Sequence, residues 1–207
     1  MTKSERFWDQ RAAKYSRSPI KDMASYEKTL QKTRERLSPD DRVLEIGCGT
    51  GSTALLLADS VAHITATDFS AKMIEIANAK LEEADAPQNV KFQKATVFDD
   101  AFQGKEFDAV LAFNFLHLAE DLEAVLAEVR RMVKSGGFFV SKSVCLGDKS
   151  FHFYHILVPL MKLIGQAPYV RFLKTEELET AIKDAGFDII ESELCPPPGR
   201  LIFARAI

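Results

Sequence analysis

A chain of 207 residues, 46% hydrophobic and 28% charged, has globular composition and enough length to close a core without disulfide or metal staples. Its formal charge of −3, with no lysine or arginine tract, argues against a phosphate-binding stripe, so nucleic acid is not expected as a partner. Cys48, Cys145 and Cys195 stand far apart with no CxxC pair, which supports neither a zinc site nor a disulfide framework.

The N-terminal ten residues are polar and lack the apolar core of a secretion signal, so a cytoplasmic location is the expectation. Residues 1–40 carry two helical patterns broken near Ser18-Pro19 and read as a helical cap, serving packing, a lid function, or both. Pro39-Asp40-Asp41 then turns the chain into a buried strand at 42–46, followed by Gly47-Cys48-Gly49-Thr50-Gly51 and a helix over 52–59. A second strand at 62–67 closes on Asp68. Ser70 is the N-cap of the next helix, where Met73, Ile74, Ala77 and Leu81 repeat at helical spacing.

Residues 89–92, 107–113 and 138–143 read as three more strands. The helix predicted over 122–134 is expected to stop at Gly136-Gly137, where glycine takes the left-handed conformation. Residues 151–170 are apolar but interrupted by His152, His155, Pro159, Lys162, Gly165 and Pro168, too broken for a membrane span. Thr175 is read as the cap of a helix ending at Gly186. Strands at 187–194 and 201–206 follow, joined by a connection too short for a crossover helix, so they should pair antiparallel.

The chemistry concentrates at residues 43–51. A buried strand that runs into closely spaced glycines and then a helix lets a ligand approach the backbone and meet helix amides. Asp68, at the end of the second strand, can accept hydrogen bonds from two ribose hydroxyls. A dinucleotide fingerprint would need a third glycine where this chain has Ser52. By contrast, Glu45-x-Gly47-x-Gly49-x-Gly51 resembles the first motif of class I S-adenosylmethionine-dependent methyltransferases.

The resemblance extends over about 42–207. Residues 67–73 are similar to the family's second motif, residues 107–110 with 114–117 to its fourth-strand segment, and residues 131–138 to its helix, Gly-Gly, strand step. The pattern is nearest to the quinone-biosynthesis and other small-molecule enzymes of the family. It implies an α/β, Rossmann-like three-layer sandwich in one domain, with a seven-stranded, mostly parallel sheet ending in an antiparallel hairpin. It also implies S-adenosylmethionine as cofactor and S-adenosylhomocysteine as product. The expected cofactor contacts are Tyr15, Glu45, Gly47, Gly49, Gly51, Asp68, Phe69, Met73, Thr96, Val97, Asn114 and Phe115. One departure stands at the third strand. Ala95-Thr96-Val97 replaces the family's common Gly-Asp-Ala, so the Thr96 hydroxyl or nearby backbone must serve where the family offers a carboxylate.

Methyl transfer from a sulfonium asks the protein mainly for orientation, so a strict catalytic residue is not required. His117, after the fourth strand, is the candidate base, with an unperturbed pKa near 6.5; the alternative is a helix-start histidine bonded to backbone. His152, Tyr154 and His155, in the apolar insert at about 146–172, are candidate substrate contacts, the alternative being packing. No metal site is expected. The insert suggests a small hydrophobic or lipid-like acceptor and a face for peripheral membrane contact, against a plain buried cap. Two other functions use the same crevice: an NAD-linked oxidoreductase, and a cofactor-binding protein without transfer activity.

Overall fold

The computed structural model describes residues 2–83, 85–148, 151, 154–163 and 166–207, with the backbone alone at 156, 162 and 163. Seven strands form one sheet: β1 (Arg42–Ile46), β2 (His63–Asp68), β3 (Val90–Lys94), β4 (Phe107–Phe113), β5 (Val133–Val144), β6 (Phe187–Leu194) and β7 (Gly199–Ala206). Their order is β3-β2-β1-β4-β5-β7-β6. The first five run parallel, and β7 lies antiparallel between β5 and β6. Helices α1 (Lys3–Arg17), α2 (Met23–Arg34), α3 (Ser52–Leu57), α4 (Ala71–Lys80), α5 (Leu122–Met132), α6 (Tyr154–Leu163) and α7 (Thr175–Asp184) flank it.

The central strands are apolar on both faces because helices cover both. Leu44 and Ile46 of β1 join Val110, Phe139 and the buried stripe of α5 in one core. Val43, one residue out of phase, joins Ile64, Leu111, Val140 and the apolar positions of α3 and α4 in the other. The strand order reverses at β1, with β2 on one side and β4 on the other. A crevice opens beyond the carboxyl ends of parallel strands at such a reversal.

Two element ends differ from the sequence expectation. α5 stops at Met132, and Val133 is already extended, so the glycines do not cap the helix. They lie inside β5, where the register against β4 jumps from Phe107↔Val133 to Ala109↔Phe138, and Gly136 adopts a φ of 78° in that irregularity. A bulge needs a left-handed residue as much as a helix end does. The cap of α7 also comes from elsewhere. Thr175 is its first helical residue, and Asp148, in the loop after β5, accepts from the Thr175 amide (3.0 Å) and hydroxyl (2.8 Å).

Helix α1 packs over α4 at the crevice side. The Asp9 carboxylate accepts from the Ser70 hydroxyl at 2.6 Å and the Lys72 amide at 3.2 Å, fixing α1 to the start of α4. Helix α2 meets α3 through Tyr26 and Thr53 (3.1 Å), and Lys32 of α2 and Arg36 just beyond it make ion pairs with Glu191 of the edge strand β6. Among the described residues no helix is long and apolar enough to cross a membrane.

Candidate functional site

Three hollows share Gly47 at the switch point. The loop after β1 is left-handed at all three of its glycines, with φ of 66°, 54° and 77° at Gly47, Gly49 and Gly51. Each has a different reason. A Cβ on Gly47 would stand 2.4 Å from the Phe115 ring, and one on Gly49 would face Tyr15 at 3.6 Å. A Cβ on Gly51 would meet Phe92 at 2.4 Å and Ala77 at 3.0 Å, inside the core. Gly51 therefore has a packing reason of its own to lack a side chain, and it is not among the residues that line these three hollows. Packing is also the role the dinucleotide fingerprint gives to its third glycine, which is Ser52 here.

The two acids sit at strand ends. Asp68 is buried, accepting from the Gly49 amide at 3.0 Å and the Ser70 amide at 2.8 Å, while burial raises its pKa. Those bonds leave lone pairs of the carboxylate for a ligand. Glu45 is 2% exposed and keeps Oε2 without a partner. Burial pushes its pKa up to about 8, against a backbone hydrogen bond from Ala54.

The first hollow, about 260 Å³, lies between the ends of β1, β2, β3 and the turn at 116–118. Phe69, Val97, Phe98, Phe115 and Leu118 give it apolar walls, with Thr96 and Asp68 at its polar edge. Thr96 accepts from the Phe98 amide at 3.3 Å. A smaller hollow brings Tyr15, Gly47, Asp68, Phe69, Met73, Asn114 and Phe115 together beneath Trp8, whose ring stands edge-on to Tyr15 at 6.2 Å. Tyr15 is half exposed as a residue, but desolvation of its hydroxyl end, then Asp68 and Glu45, raise the hydroxyl pKa. Asn114 has a φ of 54° and donates its amide to the Lys142 carbonyl at 2.6 Å, holding a rare backbone conformation at the end of β4. The third hollow, about 590 Å³, opens from Glu45 and Gly47 toward Lys142, Cys195 and the 16–26 segment.

His117 does not line these hollows. It is 8% exposed, and its Nδ1 accepts from the Val144 amide at 3.3 Å. Burial lowers its pKa to about 4. A ring that is neutral, buried and already bonded through Nδ1 is poorly placed as a base, and this speaks against that expectation. Among the described residues, Tyr154 and His155 are not in the lining of these three hollows. The Tyr154 ring is 6.5 Å from that of Phe151, and His155 stacks on Phe172 at 4.3 Å. His152 lies outside the described residues. The insert reaches the crevice instead at Pro168 and Tyr169, which sequence reasoning missed. Lys142 and Phe98 were missed too. The Lys142 signal was present as a cation near the end of a strand whose middle, Phe138, Phe139 and Val140, is apolar; Pro168 and Tyr169 gave none beyond an aromatic beside a proline.

Comparison with known proteins agrees with this arrangement. Residues 43–137 match a family model described as a methyltransferase domain. A ubiquinone biosynthesis O-methyltransferase of Aromatoleum aromaticum is 30% identical over 154 residues, covering 72% of this chain and 65% of that protein. A demethylmenaquinone methyltransferase of Leptospira interrogans is 36% identical over 106 residues, 49% of this chain and 42% of the relative. The chain thus spans less than two thirds of the length of these curated relatives, 65% of one and 42% of the other. An S-adenosylmethionine-dependent methyltransferase structure from Thermotoga maritima shares the fold with a TM-score of 0.72 and 22% identity, covering 99% of this chain and 100% of that one. Nothing in these findings supports the oxidoreductase alternative. With the glycine loop, the strand-end acids and the antiparallel β5-β7-β6 end all in the places the motifs implied, residues 43–137 match a methyltransferase domain, and the whole chain shares the fold of an S-adenosylmethionine-dependent methyltransferase.

Proposed function

We propose that this chain transfers the methyl group of S-adenosylmethionine to a small phenolic acceptor of the quinone-precursor kind. The observation that carries the cofactor half is Glu45, a buried carboxyl with an unpartnered oxygen at the floor of the glycine loop. A buried polar atom without a partner is costly, and an ammonium group satisfies it. Asp68 then holds ribose hydroxyls through its remaining lone pairs, and Phe69, Val97 and Leu118 enclose the adenine in the 260 Å³ hollow. Thr96 and the backbone beside it serve the adenine edge in place of a carboxylate.

When bound, the sulfonium supplies an electrophilic methyl group with a neutral thioether as leaving group. The residues contribute placement. Tyr15 and Trp8, from α1, cover the loop and exclude water, so residues 1–40 act as a cap with a lid function. Asn114 and Phe115 wall the crevice at the end of β4, and Pro168 and Tyr169 bring the 146–172 insert to the acceptor side. Alignment of this kind can contribute about 7–11 kcal/mol to a displacement. The acceptor half is supported by the quinone-methyltransferase relatives.

The test is calorimetric titration of S-adenosylhomocysteine into the wild-type chain and Asp68→Ala, followed by a screen of polyphenols for S-adenosylhomocysteine release. Removing a buried charged acceptor should weaken binding roughly tenfold or more. A folded wild type that binds neither S-adenosylmethionine nor its product would sink the cofactor reading. Binding with no release from any polyphenol would sink the acceptor reading and favour a cofactor-binding protein without transfer.

A further inference from the structure

The 590 Å³ hollow has a part that the cofactor reading does not use. Lys142 and Val144 of β5 and Cys195 of the β6–β7 connection line it, next to Asn114 at the β4 end. Lys142 is half-buried there. Its ammonium donates to the Thr29 hydroxyl at a long 3.5 Å, and that hydroxyl already donates to the Ser25 carbonyl at 2.9 Å. Among the described residues no carboxylate lies within ion-pair distance of Lys142, although the chain pairs many of its other lysines and arginines. Glu45, which the cofactor reading gives to an ammonium group, lines the same hollow and forms no ion pair with Lys142.

Cys195 lies beside this charge. Burial raises its thiol pKa, but hydrogen bonds with Ser25 (3.2 Å) and Thr29 (3.6 Å), then the charge and hydrogen bond of Lys142, bring it below the usual thiol value. This wall favours negative charge. A half-buried ammonium without a counterion gains most from an anion that enters with the ligand.

We propose that Lys142 is the anchor for an anionic oxygen of the acceptor, a carboxylate or phenolate on a small aromatic ring, bound in the hollow beside Asn114 and Cys195. The proposal rests on the methyltransferase reading and deepens it by naming the acceptor as an acid. Lys142 enters β5 between Ser141 and Ser143, so the strand fixes the direction of its stem and the charge stands at one place on the wall. A free, solvated lysine would offer no such selection.

The experiment uses the full chain saturated with S-adenosylhomocysteine, and a panel of hydroxybenzoates and hydroxycinnamates paired with their uncharged carboxamides. Binding is read by calorimetry for wild type, Lys142→Met and Lys142→Arg, with S-adenosylhomocysteine affinity measured on each. Wild type should bind acids about tenfold tighter than amides, the difference expected of one charge-assisted contact. That preference should vanish in Lys142→Met and persist in Lys142→Arg, while S-adenosylhomocysteine affinity stays unchanged in all three. An acid preference that survives in Lys142→Met, or no acid binding to wild type loaded with S-adenosylhomocysteine, overturns the anchor and leaves the cofactor reading intact. Loss of S-adenosylhomocysteine affinity in Lys142→Met also overturns it, by putting the cofactor's own carboxylate on Lys142. Failure of S-adenosylhomocysteine to bind wild type is the separate failure of the cofactor reading.

Discussion

Glu45 and His117 are both buried titratable groups, and their effects on stability have opposite signs. Glu45 holds its proton to a pKa of about 8, against 4.5 in the unfolded chain, so the folded state binds more protons between those values. Stability from this group is full at low pH and is lost as pH rises through the window. His117 titrates near 4 when folded and 6.5 when unfolded, so its contribution is full above 6.5 and is lost as pH falls toward 4. The two slopes oppose each other between about 4.5 and 6.5, and only Glu45 acts from 6.5 to 8. Urea unfolding of the ligand-free chain should therefore show stability falling over the upper window, by at most about 1.4 kcal/mol per pH unit. Glu45→Gln should flatten it; an unchanged slope in that variant would contradict the assignment. Gly51 gives a second residue-scale expectation. Gly51→Ala places a Cβ 2.4 Å from Phe92 at a φ of 77°, combining overpacking with backbone strain. A loss of roughly 2–4 kcal/mol in the same assay is expected. Gly136→Ala, whose Cβ meets nothing within 4 Å, should show the strain alone and cost less.

Helix α1 is fastened to the start of α4 by a polar joint and to the end of β3 by an ion pair. Its capping box at Thr2 and Glu5 makes the helix locally, while Asp9 on Ser70 and Lys72, with Glu5 on Lys94, hold it over α4. Asp9→Ala removes acceptors from the first turn of α4 but touches no core residue. Faster amide exchange across α1, with the sheet unchanged and S-adenosylhomocysteine affinity down several-fold, is expected; unchanged affinity would mean α1 is packing alone. The element scale also separates what is local from what is not. The Ser70 cap and the buried face of α4 are written within ten residues, and both were legible. The end of α5 was not, because Gly136-Gly137 is compatible with a helix stop and with a bulge. Only the pairing of β4 with β5 decides between them. The α7 cap was misassigned for the same reason, since Asp148 lies far from Thr175 in sequence and beside it in space.

Across the whole molecule, β6 is an edge strand, and α2 is tied along it. Lys32 and Arg36 both reach Glu191, Lys32 also reaches Glu193 at 2.8 Å, and Arg36 lies over the Phe203 ring at 4.0 Å. The charged groups are partly exposed, so each pair is weak alone, but the network joins the N-terminal helices to the C-terminal hairpin. Glu191→Ala should lower stability by about 1 kcal/mol, and the loss should shrink in about 1 M salt. Urea midpoints at the two ionic strengths measure it, and a salt-independent loss would point to packing. The sequence by itself determined the alternation of strands and helices, the glycine loop and the acid that follows β2, because each depends on spacing within a few residues. It also carried the antiparallel end, since a short connection permits no crossover. Only the tertiary structure decided that Gly51 serves packing, that His117 bonds the Val144 amide, and that Pro168, Tyr169 and Lys142 face the crevice. Those positions depend on which distant strand ends and loops converge at the switch point, and no local period encodes that convergence.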